Sequence, residues 1–170
     1  MAGAGWLLPH RNMWRETVVA PDERHPDEPS LVIGAYLDQL EELGAALDAP
    51  VIQGSTPNKE RERLFDAFRT GEIRTLVVSK VANFSIDLPE AAVAVQVSGT
   101  FGSRQEEAQR LGRLLRPKEV REDGTQQPAR FYTIVSRDTV DAEFAQHRQR
   151  FLAEQGYSYR ILDADDVATA

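Results

Sequence analysis

The chain has 170 residues, 41% apolar and 28% charged, enough for one globular domain with a real core and unlike either a disordered chain or a fibre. It has no cysteine and only three scattered histidines, His10, His25 and His147, which excludes disulfides and thiolate centres and gives zinc no cluster. A formal net charge of -7 argues against a general nucleic-acid binder; no apolar run approaches the roughly 20 residues of a membrane span, and residues 6–8 are too short for a signal-peptide core, so a cytoplasmic address is expected.

Residues 1–30 mix Gly, Pro, His and charges, and Pro21, Pro26 and Pro29 deny them a long helix. They are expected to be a tail or linker. From residue 31 short apolar runs alternate with helical periodicity, the pattern of βα units and a parallel sheet. Residues 31–33 predict a buried strand. Leu37, Leu40, Leu43 and Leu47 then recur at spacings of three and four, on one face of a helix that should end before Pro50.

Val51 and Ile52 predict a second strand. Gly54 follows, and Thr56 with Pro57 predicts an N-cap and first helical position for a helix whose inner face carries Leu64, Phe65 and Phe68 and which Gly71 ends. Further strands are predicted over residues 75–78, 93–97 and 131–135. Ser103 and Glu106 have the spacing of a capping box, opening a helix that reaches Leu115, and Asp138 or Thr139 starts a last helix that ends near Gly156. The fold class expected is α/β: an open, mainly parallel sheet with helices on both faces over residues 31–162, followed by an acidic tail at 163–170.

Two segments carry polar residues that such a fold does not require. The first, SKVANFSIDLP at residues 79–89, follows a strand that would be central, and parallel sheets bind ligands beyond the carboxyl ends of their strands. Asp87 could there hold a ribose or an arginine, and Ser79 with nearby backbone N–H groups could meet a phosphate. A turn cap before Pro89 remains the alternative for Asp87. The second is QRLGRLLRP at residues 109–117. Helical spacing allows Gln109, Arg113 and Arg116 to share one face while Leu111, Leu114 and Leu115 take another. Two guanidinium forks so placed suit charge on a transferring phosphoryl group. By spacing alone a solvated basic face paired with Glu106 and Glu107 is the simpler reading. Charge placement supports a local role, since residues 104–121 hold six basic side chains against three acidic ones.

The pattern Gln-x-x-Gly-Arg-x-x-Arg resembles motif VI of superfamily two helicases, and residues 79–89 resemble motif V. More narrowly, LVIGAYLDQL, GSTPNKERERLFDAF, SKVANFSIDLPEA, GSRQEEAQRLGRLLRP, RFYTIVSRDT and HRQRFLAEQGYSYRIL, in that order from about His25 onward, resemble the C-terminal RecA-like half of xeroderma pigmentosum group B DNA helicases. The resemblance implies a RecA-type sheet that closes over ATP and Mg2+ held mainly by a first RecA-like domain. It implies Arg116 as the arginine finger and Arg113 as its phosphate-contacting companion. Gln109, Arg110 and Asp87 would complete the nucleotide wall. Ser79, Lys80, Gly54 and Thr56 would meet nucleic acid, with Glu60 and Arg61 in the same motif as Gly54 and Thr56; a structural role in place of contact is the alternative for that motif's four residues.

This chain departs from the resemblance in places. Ala82, Asn83 and Phe84 stand where many relatives carry Gly, Asp and Thr, and residues 1–24 do not match. The lysines are Lys59, Lys80 and Lys118, none in the Gly-Lys-Ser/Thr context of a Walker A loop, and no DEAH-like box follows such a loop, so the chain alone is expected to hydrolyse no ATP. Its implied partners are a first RecA-like domain and, weakly, DNA. The alternatives are a non-catalytic module that binds DNA or a nuclease, a truncated helicase fragment, and, on the fold alone, half of a glycosyltransferase.

Overall fold

A computed structural model describes residues 19, 23, 25–79, 91–97, 120, 122–124, 129–134, 150 and 154. Its elements in chain order are β1 (Ser30–Gly34), α1 (Leu37–Leu47), β2 (Val51–Ile52), α2 (Asn58–Arg69), β3 (Thr75–Ser79), β4 (Val93–Gln96) and β5 (Arg130–Thr133). The strands form one sheet in the order β2-β3-β1-β4-β5, and every neighbouring pair is parallel. The helices predicted around residues 103–115 and 138–156 lie outside the described residues.

β1 and β3, SLVIG and TLVVS, are buried at every position. A strand covered on both faces reads as a continuous apolar run rather than an alternating one, which is why both were legible as central parallel strands. Successive side chains still take opposite faces. Leu31, Ile33, Leu76, Val78 and Ala94 pack on one side with Leu64 and Phe68 of α2, while Val32, Val77, Val93 and Val95 pack on the other with Leu40 and Leu43 of α1. The sheet is thus a middle layer with one described helix on each face, and truncating a core leucine such as Leu40 to alanine would cost about 2–5 kcal/mol.

The helices depart from expectation at their amino ends, and the carboxyl ends follow it. Leu37, expected on the buried stripe of α1, is 48% exposed; β1 has already ended at Gly34, so Leu37 enters the helix past the end of that strand. Thr56 does not cap α2, whose N-cap is Pro57 with no side-chain cap bond; the threonine hydroxyl turns back into the preceding turn instead. At the other end Gly71 takes φ +78°, the left-handed conformation that ends a helix cheaply only in glycine.

Strand bounds shift by a residue or two, most tellingly at β1, which starts with the buried Ser30. The stretch just before it is tied across the amino ends of the strands. The Pro29 carbonyl accepts from Ala92 and Val93 N–H at 2.9 and 3.1 Å, and Arg130 Nη1 grips the Glu28 carboxylate at 2.8 and 3.1 Å. His25 Nε2 lies 3.0 Å from the Tyr132 hydroxyl, and Arg74 donates to the His25 carbonyl at 3.2 Å. This strap holds the edge of the sheet opposite to the one discussed below.

α1 and β2 come very close where Gly44 faces Val51. A Cβ added at Gly44 would sit 2.5 Å from Val51 Cγ2 and 3.0 Å from the Ala49 carbonyl oxygen. The same glycine carbonyl accepts from Ala49 N–H at 2.9 Å, and Asp48 takes a left-handed conformation, φ 49°, to turn the chain into β2. Gly44→Ala gains about 0.5–1 kcal/mol of helix propensity but overpacks a stiff β-branched neighbour at about 1–3 kcal/mol. The variant is therefore expected to melt at lower temperature, with a net loss of about 1 kcal/mol, and the loss should shrink in a Val51→Ala background that removes the closer clash. Thermal unfolding of the four proteins in that cycle measures it.

Candidate functional site

In the ladder Gly34 pairs with Ser79, Ile33 with Gln96 and Ile52 with Val78. Parallel pairing therefore levels the carboxyl ends of β1, β2, β3 and β4. Loops leaving that edge diverge: β1 leads by way of α1 toward β2 at one rim, whereas β3 precedes β4 on the other side of β1. Divergence of this kind opens a crevice at the carboxyl edge of a parallel sheet.

Three described features stand on this edge. The first is the turn at residues 53–56, which closes on itself: Thr56 N–H donates to the Gln53 carbonyl at 3.0 Å, and Gln53 N–H donates to Thr56 Oγ1 at 3.0 Å. The short hydroxyl side chain serves the backbone, as Ser and Thr commonly do in turns. Gly54 and Ser55 form its exposed tip. From α2, Arg61 Nη2 reaches the Gln53 and Thr56 carbonyls at 3.4 Å each, and its Nε is buried without a partner. Arg61 thus braces the turn from behind.

The second is the first turn of α2. Lys59 is exposed there, and Arg63 holds Glu60 through paired bonds of 2.9 and 2.7 Å. The hydrogen bonds from Arg63 keep the Glu60 carboxyl below its ordinary value and raise the Arg63 guanidinium in return. Glu60 is thereby engaged with its own helix, and Lys59 is left to supply positive charge beside the turn. The third feature is the entry to α1, where Tyr36 and Leu37 are 55% and 48% exposed.

Of the residues singled out in the sequence, Gly54 and Thr56 come together in the turn, and Ser79 ends β3 one strand away. Ser79 is only 2% exposed, so the open surface on this edge belongs to Gly54, Ser55 and Tyr36. Lys80, Asp87, Gln109, Arg110, Arg113 and Arg116 lie outside the described residues. Sequence patterns missed Gln53, which supplies both backbone partners of Thr56; the order Gln-Gly-Ser-Thr after a strand was its signal. They missed Tyr36 too. There the signal was an aromatic at an N-cap position that normally takes Ser, Thr, Asp or Asn.

Residues 11–169 match the model of the ERCC3/RAD25/XPB C-terminal helicase family, so the match extends across residues 11–24, where the sequence motifs showed no resemblance. The chain is 76% identical over 144 residues to the DNA 3'-5' helicase XPB of Mycobacterium tuberculosis, covering 85% of this chain and 25% of that protein. It is 43% identical over 141 residues to the general transcription and DNA repair factor IIH helicase/translocase subunit XPB/SSL2 of Saccharomyces cerevisiae, covering 82% of this chain and 16% of that one. It therefore spans about a quarter or less of the length of these relatives. Among solved structures, S. cerevisiae Dbp5 L327V bound to RNA and ADP BeF3 superposes with a TM-score of 0.69 at 17% identity, over 92% of this chain and 40% of that one. The Pyrococcus furiosus Hef helicase domain gives 0.57 at 19% identity, over 83% and 28%. These likenesses agree with the all-parallel sheet in giving a RecA-like helicase C-terminal fold, and the chain belongs to the ERCC3/RAD25/XPB C-terminal helicase family.

Proposed function

We propose that this domain supplies one wall of an ATP site and part of a DNA track to a helicase or translocase whose first RecA-like domain carries the nucleotide. The observation that supports it best is the ladder register, which levels the ends of β1, β2 and β3 and so brings the turn at residues 53–56, the end of β3 and the entry to α1 onto one edge. Gly54 and Thr56 occupy that edge directly, and Ser79 is where β3 passes into the segment containing Lys80 and Asp87. The exposed turn, with Lys59 in the helix that follows it, suits a nucleic-acid backbone, because backbone N–H groups at a helix N-terminus and a lysine both favour phosphate.

The donor set decides which part of the nucleotide this chain can serve. Arg110, Arg113 and Arg116 offer cationic forks of the kind that match phosphate oxygens, and Gln109 adds a neutral amide donor beside them. The chain has no Walker A loop, and its Asp-Glu-Arg-His string at residues 22–25 has no such loop before it, so ATP with Mg2+ would be held chiefly by the other domain. When bound, that nucleotide supplies the phosphoryl group whose transfer to water drives the cycle. The role of this chain is to bring Arg116 and Arg113 to the charge that develops there and to leave when the domains reopen.

ATP hydrolysis is expected to be absent from the 170-residue chain alone and to rise when a separately produced first domain and DNA are added. Arg116→Ala should remove that rise almost entirely, since an arginine finger contributes about a thousandfold or more. A DNA-stimulated ATPase assay of the mixture tests this; a rise that survives Arg116→Ala would contradict it. Binding to single-stranded DNA should be weak and salt-dependent, with a log–log slope of about -2 for about three phosphate contacts. Lys80→Ala should flatten the slope by about 0.7. Anisotropy of a labelled oligonucleotide across a salt series reads both, and a flat response in the wild-type chain would contradict the DNA track.

A further inference from the structure

We infer that Tyr36, with Leu37 beside it, is a stacking platform for a nucleobase of the strand whose backbone crosses the turn at residues 53–56. This deepens the DNA-track proposal and rests on it. Three irregularities fall within the first turn of α1. Tyr36 is the N-cap, in an extended conformation, φ -100° and ψ 120°, and makes no side-chain cap hydrogen bond, although Ser, Thr, Asp or Asn there would stabilise the helix by about 1 kcal/mol. Tyr36 and Leu37 are two of the three exposed large hydrophobic side chains among the described residues, at 55% and 48%. One turn on, the Gln39 Oε1 atom is buried without a hydrogen-bond partner. Local rules broken together mark sites shaped by something other than stability.

Position selects the occupant. Tyr36 precedes Leu40 by four residues and Leu43 by seven, in phase with the stripe that packs on the sheet. β1, however, stops at Gly34, so the tyrosine lies past the carboxyl end of a central strand, flanked in the sheet by β3 and β4. Gly34 is level with Ser79, and Ile52, just before the turn, pairs with the residue preceding Ser79. A strand tracking the turn through its phosphates thus has its bases within the same carboxyl-edge surface as an exposed aromatic ring. Aromatic side chains bind bases of any sequence through their π faces, and Tyr presents that area at little cost in side-chain entropy. The first RecA-like domain is the competing occupant of this edge.

The test measures binding of the full 170-residue chain to a labelled single-stranded oligothymidine and to an abasic oligonucleotide of equal length, which keeps the phosphates and lacks the bases. The wild-type chain should bind the oligothymidine about tenfold more tightly than the abasic strand. Tyr36→Ser should lose that factor on the oligothymidine and change nothing on the abasic strand, while Tyr36→Phe and Tyr36→Trp keep it. Thermal melting of Tyr36→Ser and Tyr36→Phe beside the wild type checks that each variant is folded. Equal wild-type affinity for the two oligonucleotides, or a loss in Tyr36→Ser that is the same on both, would overturn the stacking role and leave the backbone track standing. So would a variant that keeps DNA affinity but no longer pairs with a first domain. Binding to neither oligonucleotide would overturn the track and the stacking role together.

Discussion

The hydrogen-bonded register of β1 with its two neighbours is the constraint on which the rest depends. Gly34 opposite Ser79 and Ile33 opposite Gln96 fix where three buried strands stop. Because side chains alternate faces, a slip of one residue would turn Val32 toward α2 and Leu31 toward α1, exchanging the two halves of the core. The core thus specifies the register, and the register places the turn at 53–56, the end of β3 and the entry to α1 on a common edge. Hydrophobic packing determines the geometry of a polar surface to which it contributes no atom.

The two ends of the sheet are built differently. At the amino ends polar groups are consumed in tying residues 25–29 down, with Glu28 gripped by Arg130 and His25 against Tyr132. At the carboxyl ends polar groups hold a shape and leave surface open: Thr56 and Arg61 spend their hydrogen bonds within the turn, and Gly54 and Ser55 stay exposed. Such a rigid turn on a buried scaffold suits a contact that must be remade at each step, since little order has to be acquired on binding. The side of the molecule that is stabilised and the side that is left available are therefore opposite ends of the same strands.

Much of this was legible in the sequence because burial on both faces writes strands as unbroken apolar runs. LVI, VI, TLVV and VAV could be placed on that ground, and Leu40, Leu43, Leu64 and Phe68 followed from the 3.6-residue period. What was not legible depended on where the sheet stops. Leu37 fits the stripe of α1 by spacing yet is exposed, since it comes after β1 has ended at Gly34. Thr56 has the identity and position of an N-cap, but its hydroxyl had two local backbone uses and the turn took it. The family, rather than the site, was legible in a different sense. Spacing alone left Arg113 and Arg116 open to a plain solvated face, and six segments in family order supplied what spacing lacked.

The account stands or falls on which end of the strands meets nucleic acid. Backbone amide NMR of the 170-residue chain, titrated with a single-stranded oligonucleotide, reads this directly. Shifts centred on residues 34–37, 53–59, 79 and 80, with His25, Asp27 and Glu28 unmoved, are the result expected. Shifts at the amino-end strap with none around Gly54 and Tyr36 would contradict it.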